Sequence, residues 1–226
     1  DDEKLMYPAY DKMLRSGIRN ICIHKGLLPS NYRKVVPKTW EFANVDDVAK
    51  AAREWPQLNF IIYHSALDTI PAGQKDYFAE FEKTGRIAWV SDLAEISSSL
   101  GLQNVYAEIG STFATSCIAH PKFCAAILGT LIKGLGADHV VWGTDSVWYG
   151  SPQWQIEAMR RIEMPEEMQT KYGFAPLGPA DGRIKAAILG GNSAKMYGLK
   201  PTTIKSSAGQ DRFARLRAEY LNEMEG

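Results

Sequence analysis

The chain has 226 residues, 45% of them apolar and 23% charged, with 26 basic and 26 acidic side chains and a formal net charge of zero. That length suits one large domain or two small ones, and the charge balance advertises no basic face for nucleic acid. The longest apolar run, 123–132, is about half the ~20 residues of a membrane span and reads as a buried helix, so no membrane partner is expected.

In chain order, residues 8–16 read as a helix with Pro8 near its start and Gly17 closing it. Residues 18–24 follow as a strand with almost no polar alternation, the pattern of a parallel strand covered on both faces. A loop rich in Pro and Lys leads to Asn44, an expected N-cap, and a helix that Pro56 ends. The strand 59–63 then closes on His64. The rhythm recurs in a helix over 91–100 and a strand over 103–109. It recurs again in a helix from Pro121 to Lys133, broken at Gly134 and Gly136, and a strand over 138–143 that delivers Asp145. Helices are expected at 152–162, 165–171 and 181–189, with Asn192 opening another. Beyond Pro201, a Ser-Ser-Ala-Gly patch precedes a charged helix, 211–224, with Phe213, Leu216, Tyr220 and Met224 on one face. That face is expected to dock on the same domain, with a dimer arm as the alternative.

Helix and strand in alternation imply crossover units and a parallel sheet. Four strands make either a small open sheet or half of an eight-stranded barrel. No Gly-x-Gly-x-x-Gly and no phosphate loop opens any helix, so nucleotide binding has no support.

Chemistry in parallel α/β folds collects at the carboxyl ends of the strands, and here those ends carry His24, His64, Glu108 and Asp145. Two imidazoles and a carboxylate suit a divalent cation, zinc first, with iron or manganese as alternatives. The plainer reading makes each histidine a partly buried side chain satisfied by backbone, and spacing alone leaves the two even. Glu108 is a support behind the ligands, a substrate contact, or a solvated loop residue. Asp145 is a candidate ligand and proton shuttle, or a cap on the next helix. Trp148, Tyr149 and Trp154 pack the loop or wall a pocket for an aromatic or carboxylated substrate. Lys25 and Arg86 would bind a substrate carboxylate or are surface charges. His120 is expected to begin a helix, and His139 to enter its strand at the amino end, away from the chemistry. Cys22, Cys117 and Cys124 lack Cys-x-x-Cys spacing, consistent with a reducing, cytoplasmic location.

The strings ICIHKG, FIIYHSA, NVYAEIGS, VVWGTDSVWYGSPQWQI and ILGGNSAKMYGL resemble the amidohydrolase-related hydrolases and decarboxylases. The resemblance covers about residues 1–200 and leaves 201–226 as linker and terminal helix. It implies a distorted TIM barrel, (β/α)8, of which this chain carries the C-terminal half, strands five to eight. By that resemblance His24, His64 and Asp145 hold the metal, His64 ligating it or polarising the attacking water, and Asp145 moves the proton. The family's first-strand His-x-His pair occurs nowhere among the four histidines. The expectation is therefore a missing N-terminal half of the barrel, supplied in cis or in trans, and an oligomer rather than an isolated monomer. The expected activity is metal-dependent hydrolysis of a C–N or C–O bond. Nonoxidative decarboxylation of an aromatic or unsaturated carboxylate is one alternative, and a noncatalytic scaffold another.

Overall fold

The computed structural model describes residues 3–29, 31–68, 74–200 and 212–225. It is an α/β fold around a four-stranded parallel sheet in the order β1 (Asn20–His24), β2 (Asn59–Tyr63), β3 (Val105–Glu108), β4 (Val140–Val141). Sequential parallel order with a crossover between every pair is how four consecutive strands of a (β/α)8 barrel are laid out. Among the described residues the barrel is partial and open, with β1 and β4 as its edges.

The helices run α1 (Met6–Arg15), α2 (Tyr32–Val35), α3 (Val48–Glu54), α4 (Gln74–Thr84), α5 (Val90–Leu100), α6 (Gly110–Ser116), α7 (Pro121–Leu135), α8 (Ser146–Tyr149), α9 (Gln153–Arg161), α10 (Glu166–Tyr172), α11 (Arg183–Ala186), α12 (Asn192–Met196) and α13 (Arg212–Glu225). The first expected helix closes on Gly17 at φ +78°, a conformation glycine adopts without cost. Asn44 does not cap α3 directly. Its Oδ1 accepts from the Asp46 N–H at 3.0 Å, a turn two residues ahead of the helix.

Gly134 does not break its helix; α7 continues to Leu135 and ends at Gly136. A Cβ on Gly134 would lie 2.3 Å from the Ala94 carbonyl oxygen, so the missing side chain lets α5 and α7 pack backbone to backbone. Helix α4 went unanticipated, although Tyr77, Phe78 and Phe81 recur at helical spacing. The expected linker over 201–211 lies outside the described residues.

Side-chain alternation divides the sheet into two faces. The outer face carries Phe60, Ile62, Val105, Ala107 and Val140, all fully buried under the helices. Phe60, Ile62, Val105 and Val140 each contribute roughly 1.5–3 kcal/mol by this burial. The inner face differs. Ile61 and Val141 are buried there, but Cys22 and His24 are exposed and Tyr63 is partly so. The expectation of a first strand covered on both faces fails at this point, because β1 is an edge strand whose inner side chains lack a covering layer among the described residues. Asn192, in the Gly-Asn-Ser-Ala motif, donates to the carbonyls of Ala137 and Val140 at 2.8 and 2.7 Å and fixes α12 at the start of β4. His120 caps α7, its Nδ1 accepting from Phe123 N–H at 3.2 Å, and His139 sits in the turn before β4, bound to the Gln103 carbonyl. Both do structural work. Among the described residues no helix is long and apolar enough to cross a membrane.

Candidate active site at the strand ends

The carboxyl ends of β1 to β3 and the loop after β4 bring His24, His64, Glu108 and Asp145 to one rim. The His24 and His64 rings lie 4.6 Å apart at 71°, edge to face. His64 Nδ1 stands 3.4 Å from Asp145 Oδ2 and 3.8 Å from Glu108 Oε2.

The backbone that presents His64 is unusual. His64, Ser65 and Ala66 have φ of 59°, 52° and 56°, three consecutive left-handed residues without a glycine. Such a conformation costs roughly 1–2 kcal/mol per residue and persists only where its surroundings over-determine it. Here they do. His64 N–H donates to Glu108 Oε2 at 3.0 Å, Ser65 Oγ donates to the Glu108 carbonyl at 2.9 Å, and Thr112 Oγ1 donates to the His64 carbonyl at 2.5 Å. From the other side Leu27 N–H donates to the Leu67 carbonyl, at a spot where a Cβ on Gly26 would sit 2.3 Å from that oxygen.

Glu108 is not the solvated loop residue that one reading of the sequence allowed. It is buried, and its second oxygen accepts from Gly110 N–H at 2.6 Å. Gly143 makes the socket: a Cβ there would fall 1.6 Å from Glu108 Oε1. Burial pushes the Glu108 carboxyl up to about 7, with the two backbone N–H groups opposing and Asp145 adding to the rise. Burial likewise holds the His64 imidazole below its ordinary value, against the pull of Asp145, and His24 lowers it further. A neutral His64 offers a nitrogen lone pair.

Asp145 does not cap α8 with its side chain. Its Oδ2 accepts instead from the N–H and Oγ of Ser111 at 3.0 and 2.5 Å, which anchors it to the first turn of α6. Tyr149 reaches the same cluster, its hydroxyl donating to Ser111 Oγ at 3.2 Å. Trp148 points away and is 79% exposed, so it walls no pocket among the described residues. Trp154 packs the loop, donating from Nε1 to the Tyr149 carbonyl. Lys25 is a buried structural cation bound to Asp47 and the Phe42 carbonyl, not a surface charge, and Arg86 is engaged by Asp92 and Glu95. Neither is free for a substrate.

A cavity of about 260 Å³ opens beside this rim, with Glu108 and Asp145 on one wall and Cys22, Tyr63, Met196 and Tyr197 on the other. Hydrogen bonding to the Cys22 thiol and burial raise the Tyr63 hydroxyl, and burial raises Tyr197. The sequence reading missed this second wall. Tyr63 precedes His64 and Cys22 shares a face with His24, so strand alternation could have located both.

His64 Nδ1 is buried with no hydrogen-bond partner, an orphaned polar atom that a ligated metal would satisfy. Two imidazoles and a carboxylate suit zinc, iron or manganese. Among the described residues no group of three or more His, Cys, Asp or Glu side chains is placed so that it could hold a metal ion. The donor set therefore fits in kind and remains incomplete in number.

Among solved structures the chain is similar to a candidate 2-pyrone-4,6-dicarboxylic acid hydrolase from Pseudomonas putida, at 16% identity and TM-score 0.47 over 86% of this chain and 68% of that one. It is similar to 5-carboxyvanillate decarboxylase from Sphingomonas paucimobilis, at 14% identity and TM-score 0.46 over 85% of this chain and 53% of that one. It is also similar to a zinc-bound amidohydrolase from Burkholderia multivorans, at 12% identity and TM-score 0.46 over 76% and 58%. The chain thus spans between 53% and 68% of the length of these structures. Comparison with curated proteins found no match. The profile described as amidohydrolase matches residues 1–199, nearly the whole chain, and by that match the protein belongs to the amidohydrolase family.

Proposed function

We propose that this chain carries part of the active site of a metal-dependent hydrolase acting on a C–N or C–O bond of a small organic substrate. The observation that supports it most is the pairing of His24 with a buried His64 whose Nδ1 has no partner, beside Asp145. In this reading His24, His64 and Asp145 hold a divalent cation, most simply zinc. Such a cation would supply a water acidic enough to yield hydroxide near neutral pH.

The chain's own residues do the rest. Asp145 Oδ2, fixed by Ser111, accepts the proton of the attacking water and returns it to the leaving group. Glu108 holds the left-handed turn so that the His64 ring keeps its direction. Tyr63 and Tyr197 shape the opposite wall and contact the substrate. Decarboxylation of a carboxylate substrate is the less favoured alternative. Lys25 and Arg86, the cations considered for a carboxylate, are both committed elsewhere, and among the described residues no Lys or Arg lines the cavity.

Turnover tests the proposal. With zinc supplied, Asp145→Ala is expected to lower hydrolysis by roughly 10²–10⁴ fold, the range for a lost general acid–base, while the folded structure survives. Undiminished activity in that variant sinks the proposed proton path. Carbon dioxide release without hydrolysis would transfer the site to the decarboxylase reading.

A further inference from the structure

Among the described residues helix α13 leaves its apolar stripe uncovered. Its apolar residues Phe213, Leu216, Tyr220 and Met224 fall at i, i+3, i+7 and i+11 and make one stripe. All four face solvent, at 76, 47, 60 and 70% exposure. The expectation that this stripe docks on its own domain is therefore wrong in this structure.

The charges on α13 are arranged against the helix. Arg212, Arg215 and Arg217 occupy its amino half, and Glu219 and Glu223 its carboxyl half. No acid lies in the first turn and no base in the last. The helix dipole prefers the reverse, each misplaced charge near an end costing about 0.3–1 kcal/mol. Glu219 and Glu223 add a like-charge pair at i, i+4, and Arg212 and Arg215 another at i, i+3. Within a single α13 only Arg215 and Glu219, at i, i+4, make a favourable pair. A second copy running antiparallel gains from the whole pattern: each basic half meets the other copy's acidic half, the two dipoles oppose, and the stripes face each other. A parallel pair would set like charge on like.

We propose that α13 is a self-association arm, through which two copies of this chain form a two-fold pair of antiparallel helices. The arrangement is isologous, as a closed dimer requires. The 14-residue helix is about 21 Å long, so the contact falls at the small, weak end of specific interfaces. The proposal does not depend on the catalytic reading.

Light scattering on the full chain, across concentrations up to about 100 μM as so small a contact demands, is the test. Wild-type protein is expected to approach twice the chain mass as concentration rises. The variant Arg212→Glu/Arg215→Glu/Arg217→Glu is expected to stay at chain mass, although acids at the amino end favour its helix. The variant Glu219→Arg/Glu223→Arg is likewise expected to stay at chain mass. Mixing the two should restore the doubled mass, and so should combining all five substitutions in one chain. A wild-type chain that stays at chain mass throughout overturns the proposal. So does a doubled mass that survives the triple reversal, because another surface then holds the copies together.

Discussion

His24 and His64 look equivalent in sequence, each ending an apolar strand, yet the fold gives them opposite settings. His24 is exposed, on an edge strand with extended backbone. His64 is buried, on a left-handed turn held by a carboxylate from the neighbouring strand. An exposed imidazole needs little from its surroundings to stay where it is. A buried one with an orphaned nitrogen is costly, since an unsatisfied buried polar atom forfeits roughly 1–3 kcal/mol, and three left-handed residues add to that. The lesson is that the cost gathers at one of the two histidines. There Glu108, Ser65 and Thr112 are spent on holding a single side chain.

The comparison breaks most visibly through Glu108. Glu108→Ala leaves the His64 and Gly110 N–H groups buried without an acceptor, and two such losses are expected to cost about 2–6 kcal/mol in chemical denaturation. Gly143→Ala should cost a comparable amount, since its Cβ would occupy the place of Glu108 Oε1. His24→Ala, by contrast, should shift stability by less than about 0.5 kcal/mol, as surface substitutions do. Equal losses at His24 and Glu108 would erase the distinction.

A pH series on the metal-free protein sharpens it. The folded Glu108 carboxyl is raised from 4.5 to about 7, so between those values the folded state binds more protons than the unfolded state. Stability from this group is therefore fully present below about 4.5 and is lost as pH rises through about 7. At 1.36 kcal/mol per unit the loss is on the order of 3 kcal/mol. Glu108→Gln removes this titration, so wild type should lose stability relative to that variant across the window. Parallel pH profiles for the two proteins would refute the assignment. His64, held low by burial, acts at lower pH and with opposite sign: its neutral form stabilises above about 6.5 and that contribution is lost as pH falls.

The smallest effect distinguishes two neighbours within the turn. Ala66→Gly relieves a left-handed residue whose side chain makes no hydrogen bond, and is expected to stabilise by up to about 1 kcal/mol. Ser65→Gly gains the same relief but loses the Ser65 Oγ bond to the Glu108 carbonyl, so its net effect should lie near zero. If both stabilise equally, the Ser65 bond contributes nothing to the hold on His64.

The four strands and most helices were legible because apolar runs and Gly/Pro punctuation carry them directly. The outer face of the sheet follows from Phe60, Ile62, Val105 and Ala107, whose burial on one side is a matter of alternation. The four rim residues were legible for the same reason, since each ends a strand or lies just beyond one. What sequence reasoning could not supply was how the rim is held. A left-handed turn normally announces itself by glycine, and His64-Ser65-Ala66 contains none. The burial of Glu108 depends on Gly143, thirty-five residues away in the loop after β4. Lys25 looked like a possible surface charge because its partner Asp47 belongs to the turn before α3. In each case the missing information was a tertiary contact with no local signature.

The central claim is that His24, His64 and Asp145 serve one metal. Elemental analysis of protein purified without chelators, for wild type and for His24→Ala and His64→Ala, tests it most directly. The account predicts about one zinc, iron or manganese per wild-type chain, with occupancy lost in both variants. A wild-type chain without metal, or metal retained when either histidine is removed, would contradict it.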